Sequence, residues 1–312
     1  MSRFVHAGGL RMHIVDEGRG PLVVLLHGFP EYSGTWRHQI RALVAAGYRV
    51  VAPDQRGYGQ TECPEREDAY TMLHLVGDVI GLLDALGESQ AVVVGHDWGS
   101  PVAWTTALLR PDRVRGVVGM SVPPRARSPV PPTEAMRKVF GDTYYQLRFQ
   151  QPKVAERDFE PDPRAKLRTI MYAASGDAPP DQRWQPTAGG PFFAGLRDPG
   201  AAPAWLGEDQ LDALTAAFAN SGFRGGLSWY ANLDRNWALL APFVGLTIRP
   251  PALFITGDAD PGYAGSRTAI EALPALIPNL RRTLVLPGCG HWVGEERPEE
   301  VNAALLEFLG GL

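Results

Sequence analysis

The chain has 312 residues, of which 45% are hydrophobic and 21% charged, and its formal net charge is −4. This length suffices for one large α/β domain with an insertion, or for two domains, and the hydrophobic fraction allows a substantial core. A slightly acidic chain without basic runs is unsuited to nucleic acid, which is bound through many Lys and Arg contacts with phosphates. No apolar run approaches the roughly 18 residues of a membrane span.

The cysteine content and the amino terminus bear on location. Cys63 and Cys289 are the two cysteines, and they lie far apart without the spacing of a metal site. The first ten residues lack the apolar segment of a signal peptide. We therefore expect reduced thiols, no bound metal, and a cytoplasmic protein that acts alone or as a homodimer.

The first part of the chain alternates between strands and helices. Alternating residues around Gly8-Gly9 predict a hairpin. Buried strands are predicted at 22–26, 48–52 and 114–120 and from Ala91, with helices at 35–46, 71–86 and 101–109. Strands that are apolar throughout must be covered on both faces, which indicates a mostly parallel sheet between two layers of helices.

This alternation stops and later resumes. Residues 123–243 are rich in Pro, Trp and Tyr and show helical patterns without a strand. Strands at 251–256 and 282–286 follow, with helices at 266–276 and 298–309. The sequence thus predicts an α/β core formed by residues 1–122 and 244–312, with residues 123–243 as a helical lid over the carboxyl edge of the sheet.

The turn after the strand at Ala91 reads Gly95-His-Asp-Trp-Gly99. A strand, a turn with glycine on both sides and a helix form a nucleophile elbow, here with Asp97 in the place of the usual serine. A helix cap is the alternative role for such an aspartate, although a cap rarely needs two flanking glycines. An aspartate is ordinarily ionised at neutral pH and attacks without a base. It leaves an ester that water can hydrolyse, which points to attack on a saturated carbon.

Two further residues complete a predicted triad. His291 follows the last strand, and the order nucleophile, acid, histidine is that of α/β-hydrolases. The acid is expected after the strand that ends at Thr256, where Asp258 and Asp260 are both candidates. We prefer Asp260, which lies further past the strand, to orient the imidazole and stabilise its protonated form.

The loop His27-Gly-Phe-Pro30 follows the first core strand. On an elbow scaffold this loop and the residue after the nucleophile each donate one amide to an oxyanion, which indicates the N–H groups of Phe29 and Trp98. The Phe29–Pro30 bond is a candidate for the cis form. His27 and His96 flank the site, and we expect them and Pro30 to support it without reacting.

These residues together resemble the soluble epoxide hydrolases of the α/β-hydrolase fold. The resemblance covers nearly the whole chain and includes two lid segments, 144–150 and 222–237. In that family each lid segment carries a tyrosine that hydrogen-bonds the epoxide oxygen, and the matching positions here are Tyr145 and Tyr230. Aromatic core packing is the alternative role for both. The family's acid position matches Asp260.

The resemblance implies a reaction and a substrate class. An apolar epoxide would be opened to a vicinal diol through an ester on Asp97, which water activated by His291 would then hydrolyse without any metal or organic cofactor. The core motifs are shared with haloalkane dehalogenases, which form the first alternative. A non-catalytic protein that binds small ligands on the same fold is the second.

Overall fold

The computed structural model describes residues 2–185 and 191–312, and within these ranges eight strands form one sheet. The strands are β1 (Ser2–Ala7), β2 (Leu10–Gly18), β3 (Leu22–Leu26), β4 (Arg49–Pro53), β5 (Ala91–His96), β6 (Val114–Met120), β7 (Ala252–Gly257) and β8 (Leu280–Leu286). Their order across the sheet is β1-β2-β4-β3-β5-β6-β7-β8. Strand β2 pairs antiparallel with β1 and β4, and the other pairings are parallel. The mostly parallel sheet is thus confirmed.

Fourteen α-helices lie within the described residues. They are α1 (Arg37–Ala45), α2 (Met72–Leu86), α3 (Gly99–Leu109), α4 (Pro132–Phe140), α5 (Tyr145–Arg148), α6 (Pro152–Ala155), α7 (Pro163–Ala173), α8 (Glu208–Ser221), α9 (Arg224–Ala231), α10 (Leu233–Leu239), α11 (Tyr263–Glu271), α12 (Leu273–Leu276), α13 (Val293–Glu296) and α14 (Pro298–Gly310). Short 3-10 helices lie at Ser33–Trp36, Glu67–Tyr70, Glu156–Asp158 and Ala241–Phe243.

The apolar runs of the strands explain the layers. All five residues of β3 are buried, with Val24 and Leu26 in one hydrophobic cluster and Val23 and Leu25 in the other. Successive side chains of a strand point to opposite faces, so a strand that is apolar throughout requires helices on both sides. The apolar faces of α2 and α3 cover one side of the sheet, and those of α1 and α14 cover the other.

The segment between β6 and β7, called the insertion below, contains α4 to α10 and no strand in its described part. Its buried side chains, among them Phe149, Leu167 and Trp229, belong to the same cluster as Val24 and Leu26 of the sheet. The described part of the insertion therefore shares one hydrophobic cluster with the sheet and packs as a continuation of one of its faces.

Helix boundaries differ from the sequence prediction in three places. The helix predicted at 35–46 begins as the 3-10 turn Ser33–Trp36 and becomes α-helical at Arg37. The helix predicted at 266–276 begins earlier, at Tyr263, and is divided into α11 and α12, and Pro274, which lacks an amide hydrogen, lies in the first turn of α12. Helix α3 begins at Gly99, two residues before Pro101.

The turn between β5 and α3 is too crowded for side chains at its two glycines. A β-carbon at Gly95 would lie 2.0 Å from the carbonyl oxygen of Gly99, and one at Gly99 would lie 2.0 Å from that of Leu26. Asp97 between them has a φ of 47°, in the left-handed region that few non-glycine residues adopt. Steric contact with rigid backbone thus explains the two glycines.

We predict that Gly99→Ala lowers the free energy of unfolding by more than about 3 kcal/mol, because backbone atoms must move to admit the methyl group. Urea denaturation followed by circular dichroism measures the change. Gly77→Ala is the matched control, since Gly77 lies in the exposed interior of α2 with open space at its β-carbon position. It should stabilise the protein by about 0.5–1 kcal/mol. Equal effects of the two substitutions would contradict this account.

Candidate active site

Asp97 lies at the carboxyl end of β5, where the elbow directs its side chain toward the loop after β3. The amide of Phe29 donates a hydrogen bond of 2.8 Å to Oδ1 of Asp97. Oδ2 lies 3.3 Å from Nε2 of His291. The two carboxylate oxygens therefore have different surroundings, one held by a backbone amide and one facing the imidazole.

His291 follows β8 and is bonded on its other side to Asp260. Nδ1 of the ring lies 2.8 Å from Oδ2 of Asp260, which is buried. The other candidate acid, Asp258, is exposed and accepts the amide of Gly288 instead. The structure thus brings Asp97, His291 and Asp260 together in a line and leaves Asp258 outside it.

Charges around His291 favour its protonated form. Burial by itself lowers the pKa of this imidazole, but the charge and hydrogen bond of Asp260, followed by those of Asp97, raise the pKa well above its ordinary value. Loss of the charge on Asp97 would remove part of this effect. The protonation state of His291 is therefore coupled to the chemical state of Asp97.

A buried pair, Glu31 and His96, lies behind the triad. Nδ1 of His96 lies 2.8 Å from Oε2 of Glu31, and Nε2 lies 2.8 Å from the carbonyl oxygen of His291. Because both ring nitrogens face acceptors, His96 satisfies both only as an imidazolium. Burial alone would raise the pKa of Glu31, but the charge and hydrogen bond of His96 and the amide of Gly28 lower it to about 2.

His96 was expected near the site from the sequence, whereas Glu31 was not. The position of Glu31, directly after the His27-Gly-Phe-Pro30 loop, was the available signal. Its carboxylate accepts the Gly28 amide at 2.8 Å, so it also fixes the loop that presents Phe29.

His27 and Pro30 lie in the same loop. Nε2 of His27 accepts the amide of Gln55 at 3.0 Å, and Nδ1 therefore donates to the carbonyl oxygen of Gly28. Burial lowers the pKa of His27, so this ring is a neutral bridge between two loops. The peptide bond between Phe29 and Pro30 is cis, as the sequence suggested.

Two tyrosines of the insertion lie beside each other, and one of them contacts Trp98 of the elbow. Tyr145 begins α5 and Tyr230 lies near the end of α9, with ring centroids 6.1 Å apart. The ring of Tyr230 lies edge-on to Trp98, at 5.0 Å between centroids. Tyr144, the neighbour of Tyr145, stacks instead on Phe140 at 4.5 Å.

Both phenols keep their protons. Burial, with the charge of Asp97 as a further cause, raises the pKa of Tyr145 and of Tyr230 well above the ordinary value. Nε2 of Gln146 donates to the hydroxyl oxygen of Tyr145 at 2.8 Å, and the Tyr145 hydroxyl also forms a hydrogen bond with the side chain of Tyr144.

Three further observations concern metal ligands, cysteines and membrane-spanning helices. Among residues 2–185 and 191–312, no group of three His, Cys, Asp or Glu side chains could hold a metal ion. Cys63 and Cys289 are free thiols. No helix in the described part of the chain has the length and apolar character needed to cross a membrane.

The sheet order and the strand–turn–helix elbow at the carboxyl end of β5 are those of the α/β-hydrolase class. The family model described as alpha/beta hydrolase fold matches residues 21–298. The chain is 44% identical to epoxide hydrolase A of Mycobacterium tuberculosis, covering 99% of this chain and 97% of that protein. It is 40% identical to epoxide hydrolase 3 of Siraitia grosvenorii, covering 98% and 96% of the two. The chain therefore belongs to the epoxide hydrolases of the α/β-hydrolase fold.

Solved structures agree with this assignment. Epoxide hydrolase A from Mycobacterium thermoresistibile superposes with a TM-score of 0.94 at 47% identity, covering 100% of this chain and 98% of that one. An epoxide hydrolase from an endophytic Streptomyces superposes with a TM-score of 0.95 at 42% identity, covering 100% and 95%. The predictions of fold class, family and enzymatic nature are thus confirmed.

We predict that Asp97→Asn lowers the pKa of His291, because a charge and a charge-assisted hydrogen bond that stabilise the imidazolium are lost. Titration of the ring nitrogens by NMR measures the shift. Asp112→Asn is the control, since Asp112 pairs with Arg110 at the surface. An unchanged titration of His291 in Asp97→Asn would contradict the coupling.

Proposed function

We propose that the protein hydrolyses epoxides to vicinal diols through an ester formed on Asp97. The observation that carries the proposal is the position of this carboxylate between the Phe29 amide at 2.8 Å and the His291 imidazole at 3.3 Å. Membership of the epoxide hydrolases supports the reaction class, and the two buried phenols support epoxide as the group that is opened.

In the first step Oδ2 of Asp97 attacks a ring carbon and the carbon–oxygen bond of the epoxide breaks. The electron pair of that bond stays on the leaving oxygen, which takes a proton from Tyr145 or Tyr230. Both phenols retain their protons at neutral pH because their pKa values are raised, so both are available as donors. Oδ1, held by Phe29, becomes the carbonyl oxygen of the ester.

In the second step water attacks the carboxyl carbon of Asp97. The ester carries no charge, so the pKa of His291 falls and the neutral ring can accept a proton from the water. Asp260 stabilises the imidazolium that results. The amides of Phe29 and Trp98 stabilise the oxyanion. When the oxyanion collapses, the bond from the carboxyl carbon to the substrate oxygen breaks, and that oxygen takes the proton held by His291 to complete the diol. The proton left on the Asp97 carboxyl group passes through solvent to the tyrosinate, which restores the carboxylate and the phenol.

The surroundings of the tyrosines favour an apolar substrate. Trp184 and Phe192 lie beside Tyr145, with ring centroids at 4.6 and 5.9 Å. Such aromatic walls exclude water and contact hydrocarbon groups. We further propose that residues 123–243 act as the lid of the site, with residues 1–122 and 244–312 as the catalytic core, because both tyrosines lie on helices of this segment.

We predict that a single turnover in heavy-oxygen water gives a diol without the label, because the new hydroxyl oxygen comes from Asp97. Mass spectrometry of the diol, and of the Asp97 peptide that gains the label, measures the result. Label in the diol of the first turnover would rule out the covalent route.

The His291→Gln variant should accumulate the ester, since alkylation needs no base and hydrolysis does. Intact-mass measurement should find an increase equal to the mass of the epoxide. His38→Gln is the control, because His38 lies on α1 outside the triad, and it should turn over without accumulating ester. An unmodified His291→Gln protein after exposure would count against the mechanism.

Substitution of both tyrosines by phenylalanine tests whether Tyr145 and Tyr230 protonate the leaving oxygen. The double variant Tyr145→Phe/Tyr230→Phe should lose epoxide opening by about 10²-fold or more, because no proton donor faces the leaving oxygen. A haloalkane needs no proton for its leaving halide, so halide release assayed beside diol formation separates the alternative activity. Tyr172→Phe serves as the control, since the Tyr172 hydroxyl contacts Gln182 and no member of the triad. Undiminished epoxide turnover in the double variant would exclude the phenols as donors.

A further inference from the structure

The three consecutive amides around His291 are all bonded to fixed acceptors. The amide of Gly290 donates to Oε2 of Glu296 at 2.9 Å, and that of Trp292 donates to Oε1 at 3.0 Å. The amide of His291 itself donates to the carbonyl oxygen of Ala174 at 2.8 Å. One carboxylate thus holds the peptide units on both sides of the histidine.

The carboxylate of Glu296 has a third bond, which reaches the insertion. Oε2 also accepts the amide of Gly176 at 2.8 Å. Within the described parts of the chain, no basic side chain forms an ion pair with Glu296. Burial raises its pKa, and the three amides oppose that effect. The energetic compensation for this partly buried group therefore comes from backbone donors alone.

The local sequence explains how one side chain reaches these amides. Helix α13 is a single turn that begins at Val293, directly after Trp292. Glu296 ends that turn, and its side chain extends back toward the amides that precede it. Asp258 accepts the Gly288 amide and Asp260 bonds the His291 ring. Within the described residues, Glu296 is therefore the carboxylate that accepts the amides of Gly290 and Trp292.

We propose that Glu296 is a positioning residue for His291 and that it joins the loop of the general base to the insertion at Gly176. Asp260 sets the tautomer and tilt of the ring, whereas Glu296 sets the backbone from which the ring projects. The proposal rests on the role of His291 under the proposed function. Displacement of a catalytic group by about 1 Å is enough to cost about 10²-fold in rate.

The two chemical steps separate this role from general stability. Asp97 attacks the epoxide without a base, so misplacement of His291 should spare alkylation. Hydrolysis of the ester needs the ring within reach of the attacking water. A residue that only stabilises the fold would affect both steps together, or neither.

The test uses Glu296→Gln in the full-length enzyme. Glutamine offers one acceptor oxygen, and its NH₂ group would face at least one amide hydrogen. We expect the rate constant for ester hydrolysis to fall about tenfold to a hundredfold, with alkylation unchanged and ester visible by intact mass. Rapid-quench single turnovers with an aryl epoxide such as styrene oxide measure both steps. Glu300→Gln is the matched control, because Glu300 pairs with Arg297 at the surface, and it should leave both rate constants unchanged.

Further variants keep the test decisive. In the His291→Gln background, Glu296→Gln should have no further effect on the alkylation rate constant. Glu296→Asp keeps the charge and shortens the side chain by one methylene, and it replaces the glutamine variant in the same assay if that variant does not fold. Equal losses in both steps, or no loss in hydrolysis, would overturn the proposal for Glu296 alone. Absence of an ester in the wild-type enzyme would overturn the covalent mechanism and this proposal with it.

Discussion

The site depends on the crowded turn that holds Asp97 against the loop after β3. A β-carbon on Gly28 would lie 2.3 Å from both Cβ and Oδ1 of Asp97, so the two loops touch with no room between them. Asp97 adopts a left-handed backbone conformation of the kind that costs about 1–3 kcal/mol and needs surrounding structure to maintain it. The glycines on either side make this strained turn possible. The turn places the carboxylate of Asp97 beside the amide of Phe29 and the ring of His291.

The opposite partner, His291, is held by several hydrogen bonds. Its carbonyl oxygen accepts from Nε2 of His96 and from the hydroxyl of Ser121, each at 2.8 Å. Its ring donates to Asp260. His96 is itself bonded to buried Glu31. The position of the His291 loop therefore depends on a charge pair in the protein interior. Such a pair costs desolvation energy and in return defines one geometry.

The sequence was sufficient for the strands and for the residues that match a pattern of known spacing. Buried apolar runs identified the sheet, and the glycines around Asp97 identified the elbow. The choice between Asp258 and Asp260 rested on a preference, because their separation from the strand differs by only two residues. Glu31 and Glu296 were not predicted. Their partners are backbone amides and a distant histidine, and such contacts produce no recognisable sequence pattern. The start of α1 was missed because a 3-10 turn precedes the helix, and that of α11 because no capping side chain marks its first turn.

The hydrogen bond to the carbonyl oxygen of Ala174 bears on how the insertion of such an enzyme can be replaced. This carbonyl belongs to the insertion, yet it bonds the backbone of the histidine proposed to activate water, and the indole N–H of Trp292 adds a bond to the carbonyl of Met171 at 2.8 Å. The carboxyl end of α7 therefore helps to position the backbone of His291. A chimaera can receive the insertion of a relative in order to admit a wider epoxide. It then also receives that relative's hydrogen-bond acceptors for the His291 loop, in addition to its pocket residues. Grafts that preserve the 171–176 backbone keep these hydrogen bonds to the His291 loop, while Tyr145 and Tyr230 are the other residues of the insertion that the proposed reaction needs.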